Sequence, residues 1–204
     1  MNLPHDPLWP RAASIFSHPT EQGSDLTLVG VPANQTSISP TSAHLTPAAI
    51  RQALLRYSLA HSDSKVDLSR LKLSDSGDVS SPDKDEQKTI TELAAIAQKH
   101  RLLVALGGDN SITYSVAKGV AATGLITFDA HYDIRDGVSN GSPVRRLIES
   151  GLDGKNVVQI GIADFSNSPQ YAERARELGI TVIHRSELRG ARLEQVWKRA
   201  VEIA

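Results

Sequence analysis

The feature that most constrains the fold is a rhythm. Short apolar runs, LTLVGVPA at 26–33, RLLVAL at 101–106, LITFDA at 125–130, NVVQIGI at 156–162 and ITVIH at 180–184, recur with longer amphipathic stretches between them. Runs of that length are buried strands, and the stretches between them are crossover helices, so the pattern predicts an α/β fold with a mainly parallel sheet. A weaker strand is expected at LKLSDSGDVS, residues 71–80. Helices are expected in TPAAIRQALLRYSL, with Thr46 as N-cap and Pro47 at the first helical position, and in SPDKDEQKTITELAAIAQKH, starting at Ser81 and Pro82. Further helices follow in 111–122, 142–151, 168–179 (Gly179 near the C-cap) and 186–204, where Gly190 weakens the first turns.

A chain of 204 residues with 40% apolar content supports one domain, residues 26–204, behind an irregular N-terminal arm, residues 1–25. His5, His18, Trp9 and Phe16 in that arm are expected to pack rather than react, and the polar stretch 61–86 is expected to be a mobile surface connection. With 22 basic against 23 acidic residues the chain offers no electrostatic footprint for nucleic acid or an anionic membrane, so a small-molecule partner is expected. The absence of cysteine excludes disulfides, thiolate nucleophiles and Cys-ligated zinc. No signal-type N-terminus and no run of about 18 apolar residues is found, so the expectation is a cytoplasmic protein.

The chemistry concentrates where the run LITF ends. In FDAHYDIRDG, Asp129, His131 and Asp133 occupy alternate positions, and in an extended chain alternate side chains point the same way. Ligands of open parallel sheets sit beyond the carboxyl ends of strands, which is where this triplet falls. Two carboxylates with an imidazole, and no sulfur, suit Mn²⁺, Fe²⁺, Co²⁺ or Zn²⁺. The bland alternative is a set of turn formers and caps, the commoner fate of such residues after a strand. GGDNS at 107–111 sharpens the picture: Gly107 and Gly108 permit a tight turn, and Asp109 is placed to cap the next helix or to orient a ligand. Downstream lie Ser139 and Asn140 in a candidate substrate loop, followed by Arg145 and Arg146. Together with Arg135 these guanidinium groups are candidate anion clamps, and an exposed helix face is an equally good account of Arg145 and Arg146. His44, His61 and His100 flank or end helices and are expected at the surface, while His184 ends a strand on the functional side.

Taken in order, DSGDV, GGDNS, FDAHYDIRDG, NGSPVR and VVQIGI, with AHLTPAAIRQAL before them, resemble the ureohydrolase family of arginases, agmatinases and formiminoglutamases over roughly residues 26–184. The resemblance implies a three-layer α/β/α fold, a two-manganese centre and hydrolysis of a guanidinium or amidine carbon. It implies metal-binding or bridging roles for Asp129 and Asp133, with Asp133 the catalytic carboxylate, and an imidazole ligand at His131. Three departures stand out. Asn110 occupies the position of a ligand histidine and would be a weaker metal donor. Asn140 replaces a proton-shuttling histidine. The family's second aspartate cluster, S-x-D-x-D-x-x-D-P, is absent, which implies a chain shortened at the C-terminal end. NGSPVRRLIESGL and VVQIGIADFSNS look most like the formiminoglutamase branch, which converts N-formimino-L-glutamate to L-glutamate and formamide in histidine degradation. An inactive family member acting as a binding or assembly module, and an agmatinase or other guanidino hydrolase, are the alternatives. A homo-oligomer is expected, because relatives are commonly oligomeric and an uncovered strand edge favours association.

Overall fold

The computed structural model describes residues 6–17, 23–59, 61, 68–189 and 193–204. His5, His18, Gly190 and residues 62–67, near the start of the polar 61–86 stretch, lie outside them. The chain divides into two compact units, Met1–Gln35 with Thr41–Asp109, and Thr36–Pro40 with Asn110–Ala204.

The first unit holds a four-stranded parallel sheet in the order β1-β3-β2-β4. Its strands are β1 (Phe16–Ser17), β2 (Leu26–Val31), β3 (Leu73–Asp78) and β4 (Leu103–Gly107), with helices α1 (Thr46–Leu54) and α2 (Glu86–Ala97). β2 is central and buried along nearly its whole length, as an uninterrupted apolar run requires. The segment expected to be an irregular arm contains a 3-10 turn, Ala12–Ile15, and supplies β1, whose Phe16 and Ser17 register against Leu73 and Ser74.

Two helix starts differ from expectation. A 3-10 turn, Ala43–Leu45, runs straight into α1, so Thr46 already has helical dihedrals and cannot act as its cap. Ser81 has φ +52, outside the helical region, and the N-cap of α2 is instead Asp85, four residues later, whose carboxylate accepts from the Lys88 N–H at 2.9 Å.

The second unit holds a three-stranded parallel sheet, β5 (Leu125–Phe128), β6 (Val157–Ile162) and β7 (Thr181–His184), in that order. Both sheets are parallel throughout. β6 sits between helices on both faces. Val157 and, after a bulge at Gly161, Ile162 face one layer with residues of α3 (Ile112–Gly119), α4 (Pro143–Glu149) and α5 (Pro169–Glu177). Val158 and Ile160 face the other layer, formed by Val196, Ala200 and Ile203 of α6 (Leu193–Ile203). This is a helix–sheet–helix arrangement of three layers. The last helical stretch is divided: Arg185–Leu188 is a 3-10 turn and α6 follows separately. Gly179, at φ +78 just past α5, ends that helix as expected. Among the described residues no helix is long and apolar enough to cross a membrane.

Candidate metal centre

The backbone builds the site before the side chains do. After Gly107 the chain turns sharply, and Gly108 approaches the Ala33 backbone so closely that a Cβ would lie 1.9 Å from the Ala33 carbonyl oxygen. Only glycine fits there. The Asp109 N–H donates to the same carbonyl at 2.9 Å, and the N-cap position of α3 is taken by Ser111, two residues further on.

In the second unit β5 ends at Phe128, and the next residues leave the ladder under tight control. The Asp129 N–H donates to Ile160 O at 3.1 Å, and the Ala163 N–H to Ala130 O at 3.0 Å. The Asp129 carboxylate curls onto its own turn, with Oδ1 2.7 Å from the His131 N–H and 3.2 Å from His131 Nδ1. Asp133 is buried and adopts φ +53, a left-handed conformation uncommon outside glycine. Its carbonyl accepts from the N–H groups of Val144 and Arg145 at the start of α4, and its Oδ2 accepts from Asn110 Nδ2 at 2.6 Å. Burial above all, and then the charge of Asp129, push the Asp133 carboxyl up to about 7, against smaller downward pulls from Asn110 and Arg135.

The structure thus brings Asp129 and His131 into contact and sets Asp133 within reach of the Asp129 charge. It does not gather the three side chains into a cage: among the described residues no group of three or more His, Asp or Glu converges as metal ligands. The reason is local, since Asp129 is drawn to the His131 backbone and Asp133 to Asn110. In donor chemistry the set fits Mn²⁺, two carboxylates and an imidazole at one strand end. Asn110 donates from its NH₂ to Asp133, and its Oδ1 accepts from Thr113 Oγ1 at 2.8 Å, so as placed it holds Asp133 rather than offering a ligand oxygen.

The loop candidates divide by what their polar groups touch. Ser139 closes a turn in which its N–H donates to Ser142 Oγ at 2.9 Å and its Oγ accepts from the Gly141 N–H at 3.2 Å. Asn140 clamps the 36–38 segment, its Oδ1 accepting from the Ile38 N–H and its N–H donating to Thr36 O. Arg145 binds the carbonyls of Arg135 at 2.7 Å and Gly137 at 2.5 Å and pairs with Glu149, bracing the loop from within. The Arg146 guanidinium lies 3.8 Å from the Tyr114 ring centre. Arg135 is exposed, and its Cδ and Nε lie alongside Gly141. His44 contacts Asn34, and His100 is bonded to Ser24, both in the first unit.

Two residues that the sequence pattern concealed hold the turn. Gln159, fully buried in the middle of β6, donates from Nε2 to Tyr132 O at 2.8 Å. Asn167 accepts the Tyr132 N–H at 3.2 Å and donates to Ala130 O at 2.9 Å. An amide inside an otherwise apolar strand was the available signal for Gln159; Asn167, in a polar loop, gave none.

The parallel sheets with their covering helices and the carboxylates past a strand end define an α/β class of scaffold, and comparison with known proteins supplies the family. The Arginase family model matches residues 24–204. The chain is 36% identical over 190 residues to the formimidoylglutamase of Halalkalibacterium halodurans, covering 85% of this chain and 59% of that protein. It superposes on the crystal structure of formimidoylglutamase from Bacillus subtilis with a TM-score of 0.89 at 29% identity, covering 99% of this chain and 68% of that one. The formiminoglutamase of Trypanosoma cruzi, solved with Mn²⁺, gives a TM-score of 0.86 at 25% identity, covering 96% of this chain and 71% of that one. This chain belongs to the arginase family. It spans 59% of the length of the first of these relatives.

Proposed function

We propose that the chain belongs to a manganese-dependent hydrolase of linear amidine or guanidino C–N bonds, with N-formimino-L-glutamate cleaved to L-glutamate and formamide. The observation that supports this reading is the succession of Asp129, His131 and Asp133 directly past the end of β5, with Asp129 in contact with His131 and its charge felt at Asp133, in a chain whose relatives include formimidoylglutamases. Asp129, His131 and Asp133 would hold manganese, which when bound supplies the Lewis acidity that makes water nucleophilic near neutral pH. Asp133, with a carboxyl near 7, is poised between holding a proton and giving it up, and Asn110 fixes its direction. Ser139, Asn140 and Arg145 shape the loop, and Arg135 is left to face the substrate's carboxylates.

The test is formamide release from N-formimino-L-glutamate with added Mn²⁺, comparing the chain with its Asp129→Ala variant. Turnover that requires Mn²⁺ and is lost in the variant is expected; no turnover at any Mn²⁺ concentration overturns the reading. A second reading, a non-catalytic binding or assembly member, is favoured by the hold of Asn110 on Asp133 and by the lack of a three-ligand cage among the described residues. Metal analysis separates the two, because a stoichiometry near two ions per chain excludes the second.

A further inference from the structure

We propose that Gln159 and Asn167 are positioning residues, a pair of amides that grip the backbone of Tyr132 from both sides and thereby hold the left-handed turn that aims Asp133. Tyr132 has left the strand ladder, so its N–H and C=O need partners elsewhere. Asn167 takes the first and Gln159 supplies the second. The next residue, Asp133, is at φ +53, a conformation that persists in a non-glycine residue only when its surroundings impose it. With Tyr132 fixed on one side and the Asp133 carbonyl fixed by α4 on the other, the direction of the carboxylate toward Asn110 is determined.

The burial of Gln159 supports a positioning role over a packing role. By the alternation of β6 its side chain shares a face with Val157, among the apolar residues of α3, α4 and α5. Its Oε1 has no hydrogen-bond partner, and neither has Oγ1 of Thr127, its register partner on β5. A hydrocarbon of the same volume would remove the unsatisfied Oε1 but would strip Tyr132 O of its donor. What the amide adds is the single bond to Tyr132 O. Asn167 in turn ties Ala130 to the same loop, so both amides act on the 130–132 backbone that links Asp129 to Asp133.

The inference rests on the proposed metal role only for its consequence, and the test reads the two separately. Gln159→Met keeps the volume and removes the donor. Asn167→Ala removes the other grip from outside the fully buried core. Val158→Ala, on the opposite face of β6, is the control for loss of packing alone. Hydrogen–deuterium exchange of residues 129–135 in the metal-free protein is expected to quicken roughly 10-fold in Gln159→Met and in Asn167→Ala, with β6 still protected, and to change little relative to β6 in Val158→Ala. Mn²⁺ titration followed by electron paramagnetic resonance is expected to show about 10- to 100-fold weaker binding in the first two variants. Unchanged exchange in Gln159→Met, or equal loosening in Val158→Ala, overturns the inference. So does a loosened segment that binds Mn²⁺ as tightly as the parent chain. If the parent chain takes up no Mn²⁺, the metal reading fails and the exchange result alone decides the inference.

Discussion

Each unit of this molecule brings two aspartates together at a strand end, and the two pairs are treated oppositely. In the first unit Asp75 and Asp78 share the guanidinium of Arg51, with Nε 2.6 Å and Nη2 2.8 Å from the Asp75 oxygens and Nη1 2.5 Å from Asp78 Oδ1. The hydrogen bonds to Asp75 above all raise the Arg51 pKa further still. In the second unit burial first, and then the charge of Asp129, act on Asp133, with a hydrogen bond from the Asn110 amide and the pull of Arg135 as smaller relief, and its carboxyl rises to about 7. A pair neutralised by its own fold is structural. A pair left short of positive charge is, in the proposed reading, one that a cation would complete, and the same residue type serves both ends because its neighbours differ.

The comparison is most directly broken at Arg51. Arg51→Met leaves two carboxylates facing each other without their fork, and the loss is expected to reach about 2–3 kcal/mol, the scale of hydrogen bonds to charged groups. Urea unfolding measures it. Mn²⁺ affinity per folded molecule is expected to stay unchanged, and a loss of Mn²⁺ binding without a loss of stability would reverse the assignment of roles.

Asp133→Asn sharpens the other half. A carboxyl whose folded pKa is raised from 3.8 to about 7 binds its proton more tightly in the fold than in the unfolded chain, so its contribution to stability declines as pH rises across that interval. Asparagine carries no charge and tolerates φ +53. The metal-free variant is therefore expected to match the parent near pH 4 and to exceed it by up to about 4 kcal/mol at pH 8, a shift of roughly three pKa units at about 1.4 kcal/mol each. Urea midpoints at the two pH values check this, and parallel curves for parent and variant would show that the charge is not strained.

These contrasts show where the sequence was legible. β2, β5 and β6 were readable because a buried parallel strand is a continuous apolar run, and Asp129, His131 and Asp133 stood out as candidates because three residues of ligand-forming type at alternate positions after such a run are conspicuous. Their conformations were not. Alternation assumes an extended chain, and the left-handed Asp133 breaks the alternation by one backbone rotation that no residue type announces. The same holds for Asp129, which forms a local turn with His131 instead of reaching outward. Arg145 read as an anion clamp because its charge is visible in the sequence, whereas the carbonyls of Arg135 and Gly137 that occupy it are not. Thr46 illustrates the limit at helix starts, where a 3-10 turn supplied by tertiary context displaced a good capping residue.

The smallest expected effect lies back in the first unit, at His100. Its Nδ1 accepts from the Ser24 N–H at 3.1 Å and lies 2.7 Å from Ser24 Oγ, which also contacts Ser74 Oγ at 2.8 Å. An Nδ1 that accepts a backbone hydrogen bond must be unprotonated, and burial first, with the charge of Lys99 second, lowers the His100 pKa below its ordinary 6.5. The unfolded chain then takes up the proton before the folded one does. Stability from this contact is full above pH 6.5 and is lost as pH falls below it through the lower folded value. The loss is expected to stay below about 1 kcal/mol, the scale of one partly buried hydrogen bond. Its sign is opposite to that of Asp133, so the metal-free protein is weakened toward acid by His100 and toward neutrality by Asp133. His100→Gln flattens only the acid limb and Asp133→Asn only the neutral one; a variant that moves both limbs would show that the two units do not answer to separate charges.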